Sequence, residues 1–161
     1  MAAAPRITIG PARFPDEAEL VRQLFAEYID SLGVDLSFQD VDRELAGLPG
    51  KYAAPRGTVL IARDGSGEAV GAVALRPVPL PGTCEIKRLY VRPSARQQNV
   101  GRSLAEAIVI AARTMGYTRA LLDTLPSMHA AQRLYASLGF RPTEPYYDNP
   151  VPGTVYLALD L

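Results

Sequence analysis

The chain has 161 residues, 48% of them apolar, and its 17 basic side chains balance 17 acidic ones. That length and composition specify one domain, spanning 1–161, with a real hydrophobic core, and a neutral chain without a basic run excludes nucleic acid as an electrostatic partner. No apolar run reaches membrane-spanning length, Met1-Ala2-Ala3-Ala4-Pro5 lacks the core of a signal peptide, and the lone Cys84 cannot close an internal disulfide, so a cytoplasmic protein with no membrane partner is expected.

In chain order, weak alternation over 6–9 predicts a short first strand. Leu20, Val21, Leu24, Phe25, Tyr28, Ile29 and Leu32 recur at helical spacing until Gly33 ends the run. Phe38, Val41, Leu45 and Leu48 predict a second helix, stopped by Pro49-Gly50. Strands follow over 58–62 and 69–75, joined by the turn Asp64-Gly65-Ser66-Gly67. A Pro-rich loop leads to a strand over 84–92, an amphipathic helix over 100–115 and a strand from Ala120. These three make a βαβ unit whose strands are parallel. Ser127 is placed to cap a further helix and Gly139 to end it. A Pro- and Tyr-rich loop, 144–153, precedes a last strand over 154–159. Interleaved helices and strands give an α/β domain with one mixed sheet.

The segment Arg96-Gln97-Gln98-Asn99-Val100-Gly101-Arg102-Ser103 carries the most chemistry. A short loop that opens a helix exposes N–H groups with no intrahelical partner, and the helix dipole adds positive charge there. That makes an anion site, typically for phosphate, and Arg96 and Arg102 reinforce its sign. A Walker A loop does not fit: with Gly101 as its second glycine, the first would fall on Arg96 and the Lys on Arg102. A Rossmann loop needs three glycines, and one is present.

The segment Arg96-Gln97-Gln98-Asn99-Val100-Gly101 resembles the R/Q-x-x-G-x-G/A pattern of the Gcn5-related N-acetyltransferase (GNAT) superfamily, with Asn99 where the family usually has its first Gly. Asn tolerates a positive φ, so the loop shape can survive. Glu85-Ile86-Lys87-Arg88-Leu89-Tyr90-Val91 resembles the family's fourth strand and Leu121-Leu122-Asp123-Thr124 its fifth. The run from Ala131 to Phe140 is similar to its fourth helix, A-x-x-L-Y-x-x-L-G-F. The resemblance covers 56–161. It implies a mixed, mostly antiparallel central sheet flanked by helices, with the Cys84 and Ala120 strands splayed apart. It also implies an acetyl-CoA cosubstrate without a metal. Pantetheine would lie along the main chain of Leu89, Tyr90 and Val91 like an added strand. The pyrophosphate would sit on the N–H groups from Gln98 to Ser103. Dimers are frequent in the family, which makes a homodimer an expectation of the resemblance and not of the residues.

Acetyl transfer needs an amine freed of its proton, donors for the thioester oxygen, and a proton or donor for the departing thiolate. Glu85 is the candidate general base, acting directly or through water if burial raises its pKa; otherwise it is a strand Glu facing solvent or pairing with Lys87. Tyr135 occupies the position at which the family commonly places its general acid; otherwise it is a core aromatic. Met128 stands where the family often has Asn. His129 reads as a surface residue and Cys84 as a small buried one, and one His with one Cys cannot close a metal site. Lys51 and Arg88 are placed to hold a carboxylate, and Asp148 or Glu85 an amine. The reading is an N-acetyltransferase acting on a small-molecule or peptide amine. Its rivals are a non-catalytic acyl-CoA-binding regulatory module, and transfer to oxygen or of a longer acyl group.

Overall fold

The computed structural model describes residues 6–36 and 40–161. The elements are β1 (Thr8–Pro11), α1 (Ala18–Leu32), α2 (Val41–Ala46), β2 (Thr58–Arg63), β3 (Ala69–Pro77), β4 (Thr83–Val91), α3 (Val100–Thr114), β5 (Arg119–Thr124), α4 (His129–Ser137), β6 (Arg141–Pro142) and β7 (Val155–Asp160). One seven-stranded sheet runs in the order β1-β2-β3-β4-β5-β7-β6. Every pairing is antiparallel except β4 with β5. This is the mixed, mostly antiparallel α/β fold with flanking helices that was expected, and its one parallel pair is the βαβ unit built around α3.

Several boundaries differ from the sequence reading. The first strand lies two residues later, because Thr8–Pro11 finds its ladder partners in Arg63–Leu60. The second helix is only Val41–Ala46; Phe38 and the segment 1–5 lie outside the described residues. Leu48 still packs against the core, from the turn beyond that helix. Ser127 does not cap α4: the cap is Met128, no side chain satisfies the helix end, and the Ser127 carbonyl instead accepts the His129 N–H at 2.9 Å. The two-residue β6 is too short to carry a periodic signal, and it exists because Pro142 and Arg141 meet Leu157 and Ala158.

Each face of the sheet has its own core. Val70, Val73, Leu75, Cys84, Ile86, Ala120 and Leu122 meet Leu104 and Ile108 of α3 and Tyr135 of α4. On the opposite face Val59, Ile61, Ala72 and Ala74 meet Val21, Leu24 and Phe25 of α1. Gly71 lets α3 sit close: a Cβ there would lie 2.7 Å from the Tyr90 carbonyl oxygen and 3.1 Å from Leu104 Cδ1. The helix start is thereby held beside the end of β4.

Candidate active site

The parallel pair is short. Thr83, Cys84 and Glu85 pair with Arg119, Ala120 and Leu121, and past that point β4 and β5 run on without pairing. The splay coincides with a bulge in β4. Ala74 pairs with Lys87 but Ala72 with Tyr90, so Val73 faces two residues, and Arg88 takes φ +63°. The extra residue inverts the side-chain alternation. Cys84 and Ile86 point into the α3–α4 core, and so do Leu89 and Val91. Lys87 is thereby followed by a second buried cation, Arg88. Its Nε and Nη2 donate to both Glu44 oxygens, at 3.1 and 3.2 Å, from the other side of the sheet. The bulge escaped the sequence reading, although its signal is present: apolar positions are even up to Ile86 and odd from Leu89.

Between the separated ends lies a slot of about 60 Å³, lined among others by Leu89, Asp123, Met128, Tyr135 and Asn149. Its size suits one or two small groups. Tyr135 is 5% exposed and its ring meets Phe140 edge-on at 5.3 Å. Burial pushes its phenol far above the usual range, and the hydroxyl makes no hydrogen bond to the described residues. Tyr135 therefore has the core packing of an ordinary aromatic and also lines the slot.

Beyond β4 the chain makes a 3₁₀ turn at Pro93–Ala95 and enters the loop. Gln97 and Asn99 both take positive φ, +68° and +59°, so Asn99 adopts the backbone that a glycine would. Ser103 N–H makes the first helical hydrogen bond, to the Asn99 carbonyl at 3.0 Å. The N–H groups of Val100, Gly101 and Arg102 have no acceptor among the described residues. A Cβ on Gly101 would meet only Val91 Cγ2, at 3.7 Å, an ordinary contact. The protein's own packing thus places no demand for glycine there, whereas a ligand seated on the helix start does. Arg96 donates to the Val91 carbonyl at 3.3 Å, and Arg102 pairs with Glu106 at 3.0 Å while donating to Ser137. The main chain of Leu89, Tyr90 and Val91 runs toward this loop without β5 as a ladder partner.

A second cavity, about 770 Å³, opens on the α1–α2 side of the same strands, walled by Arg76, Glu85, Lys87, Arg119, Tyr146 and Asp148. Glu85 is 2% exposed. Its carboxylate accepts from Arg76 Nε at 2.9 Å and from the Tyr146 hydroxyl at 2.6 Å. Burial alone would raise its pKa. The charges of Lys87 and Arg76 and the Tyr146 hydrogen bond outweigh that and hold it below the ordinary carboxylate value. The condition placed on Glu85 as a base, a raised pKa, is therefore not met: the group stays ionised. Tyr147 donates to Asp123, and Asn149 Nδ2 donates to Tyr147 at 2.8 Å. Tyr146, Tyr147 and Tyr156 stack edge-on, which pins the loop over the cavity.

The structure keeps Tyr135 and Glu85 in separate cavities. Lys87, which the sequence reading treated only as a partner for Glu85, lines both. Arg88 is committed to Glu44 and does not reach the larger cavity, whereas Lys51 and Asp148 line it as expected. Arg119 also lines it and was not singled out, since one Arg at a strand start carries no distinctive pattern. His129 is exposed, and Cys84 is fully buried with its thiol pushed up to about 12 by burial.

Residues 20–140 match the Acetyltransferase (GNAT) family. An uncharacterized N-acetyltransferase of Schizosaccharomyces pombe is 44% identical over 96% of this chain and 95% of its own length. The uncharacterized N-acetyltransferase YjgM of Escherichia coli is 32% identical over 78% of this chain and 75% of its own. The crystal structure of a GNAT-family acetyltransferase from Staphylococcus aureus Mu50 superposes with a TM-score of 0.77 at 17% identity, covering 96% of this chain and 99% of that one. With the splayed parallel pair and the open helix start already in place, these likenesses settle the lineage: the chain belongs to the GNAT family of N-acetyltransferases.

Proposed function

We propose that residues 1–161 act as one acetyl-CoA-dependent N-acetyltransferase domain that acetylates an amine of a small molecule or peptide by direct attack. The observation that carries this reading is the slot between β4 and β5, with Tyr135 on one side and, through Lys87, a larger cavity on the other. The residues present fit the cosubstrate. The open N–H groups of Val100, Gly101 and Arg102, the glycine at 101 and the cations Arg96 and Arg102 suit a pyrophosphate. The main-chain edge of Leu89, Tyr90 and Val91, unpaired with β5, suits an amide-bearing arm. When bound, acetyl-CoA supplies an acetyl thioester.

Tyr135 keeps its proton at any physiological pH, because burial raises its pKa. It donates that proton to the sulfur as the carbon–sulfur bond breaks. Glu85, ionised by Lys87 and Arg76, takes the amine proton directly or through water. A low pKa is no bar to this once the carbon–nitrogen bond is forming, since the nitrogen then becomes strongly acidic. No covalent enzyme intermediate is needed. The buried lone Cys84 supports a reducing, cytoplasmic setting.

Calorimetric titration with acetyl-CoA, together with thiol release across a panel of amines, tests the reading. Micromolar binding that Gly101→Glu abolishes, with turnover of at least one amine, is the expected result, since Glu adds bulk and negative charge at the anion site. Binding without turnover of any amine would instead favour an acyl-CoA sensor.

A further inference from the structure

Resting on the acetyltransferase reading, we infer that the acceptor carries a carboxylate beside its amine, and that Arg119 holds it. The floor of the 770 Å³ cavity is formed by Arg76, Glu85, Lys87 and Arg119. Glu85, Lys87, Arg119 and Leu121 share one face, because Glu85 pairs with Leu121 and Thr83 with Arg119 across the parallel ladder, and Arg76 pairs with Glu85 from the other side. The floor thus sets three cations against one carboxylate. Arg76 and Glu85 satisfy each other at 2.9 Å. Arg119 is half-buried, and its one hydrogen bond to a described side chain is from Nη2 to the Thr143 hydroxyl at 3.1 Å. Asp160 stands across the ladder from it, yet no salt bridge forms between them. The two other acidic residues lining the cavity, Glu144 and Asp148, are exposed at its rim, together with Lys51.

A half-buried guanidinium without a carboxylate is an anchor for an anion, and its planar fork matches a carboxylate in two hydrogen bonds. The same floor opposes a polyamine, because its one carboxylate, Glu85, is already tied to Arg76 and Tyr146 and leaves a second cation no partner there. Arg119 lies two residues, about 7 Å of strand, before the point at which β4 and β5 part. An amine at the slot and a carboxylate two bonds away cover only part of that interval, and the long Arg119 side chain has to supply the rest. Val78, Pro79, Leu80 and Pro145 add an apolar wall, and Leu80 is 46% exposed. Space and wall together suit an amino acid with a bulky apolar side chain, or a short peptide-like conjugate of one.

Thiol release from acetyl-CoA tests this with matched pairs: L-phenylalanine against 2-phenylethylamine, L-leucine against 3-methylbutylamine, and spermidine as the polyamine. The carboxylated member of at least one pair should exceed its partner and spermidine by 30-fold or more in kcat/KM. Arg119→Gln should reduce that ratio at least tenfold, chiefly through KM, with acetyl-CoA affinity and melting temperature retained, and Arg119→Lys should recover part of it. If decarboxylated amines or spermidine are turned over as well as the acids, or if the ratio survives Arg119→Gln, the inference is overturned while the acetyltransferase reading stands. Acetyl-CoA binding with no amine acetylated overturns both.

Discussion

On one face of the central strands, α3 and α4 cover Cys84, Ile86, Ala120 and Leu122, and no charged side chain among the described residues is buried there; on the other, β4 alone buries Glu85, Lys87 and Arg88. The second face is not polar throughout. Over β2 and β3 it is as apolar as the first, covered by Val21, Leu24 and Phe25 of α1. The charge is confined to the part beside the splay, where Tyr146 covers Glu85 and Glu44 of α2 covers Arg88. Burying ions costs more than burying hydrocarbon unless each is paired, and even paired they seldom stabilise a fold over apolar residues of the same shape. The apolar face therefore accounts for the fold, and the charged quarter is where the molecule accepts a cost for chemistry.

The comparison breaks most severely on the apolar side. Leu104 is fully buried between α3 and β3. Leu104→Ala should destabilise by about 2–5 kcal/mol, the range for large-to-small core changes, read by denaturant unfolding. Enzyme that remains folded should keep its acetyl-CoA affinity.

On the charged side the order of effects reverses. Glu85→Gln should lower turnover roughly 100-fold, a usual share for a general base, and the loss should shrink at high pH, where hydroxide can take the same proton. Its stability effect depends on pH. Because the folded pKa lies below the unfolded value of about 4.3, Glu85 contributes stability in full above that value and loses it as pH falls through the folded pKa. Acid unfolding followed by circular dichroism should show the parent losing more stability than E85Q below about pH 4. Parent-like turnover at neutral pH would make Glu85 a structural ion-pair partner of Arg76.

The smallest change belongs at the seam where the two faces meet the cosubstrate loop. Asn99 already holds φ +59°. Asn99→Gly should leave acetyl-CoA affinity equal or slightly tighter, within about threefold, because Gly takes that conformation without steric cost. Marked weakening in a calorimetric titration would mean that the Asn side chain itself contacts the ligand.

Residues that repeat a pattern were the legible ones. The helical spacing in α1 and α3, the alternation in β2 and β3, and the turn glycines at Gly33 and Gly139 all express local geometry, and a ladder or a core rewards them where they stand. The loop at 96–103 was legible for the same reason: a helix start is a local object. The bulge at Arg88 was written in the phase slip between Ile86 and Leu89, but one slip in a nine-residue strand is a faint signal. Arg88 itself misled, because its tie to Glu44 joins residues 44 positions apart. The convergence of Arg76, Lys87 and Arg119 comes from cross-strand register, and the lowered pKa of Glu85 from Lys87, Arg76 and the Tyr146 hydrogen bond acting against burial. Along the chain only the Glu85–Lys87 spacing shows; Arg76, Arg119 and Tyr146 arrive from other strands and a distant loop.

Tyr135 both packs in the apolar core and lines the slot. Steady-state kinetics of Tyr135→Phe, beside a melting curve and an acetyl-CoA titration, therefore test the central claim most directly. The account predicts kcat lower by about 10- to 1000-fold, the loss of one acid at the transition state, with melting temperature and acetyl-CoA affinity held. An unchanged kcat, or a loss of activity that only follows a loss of fold, would make Tyr135 one more core aromatic and leave the mechanism without its acid.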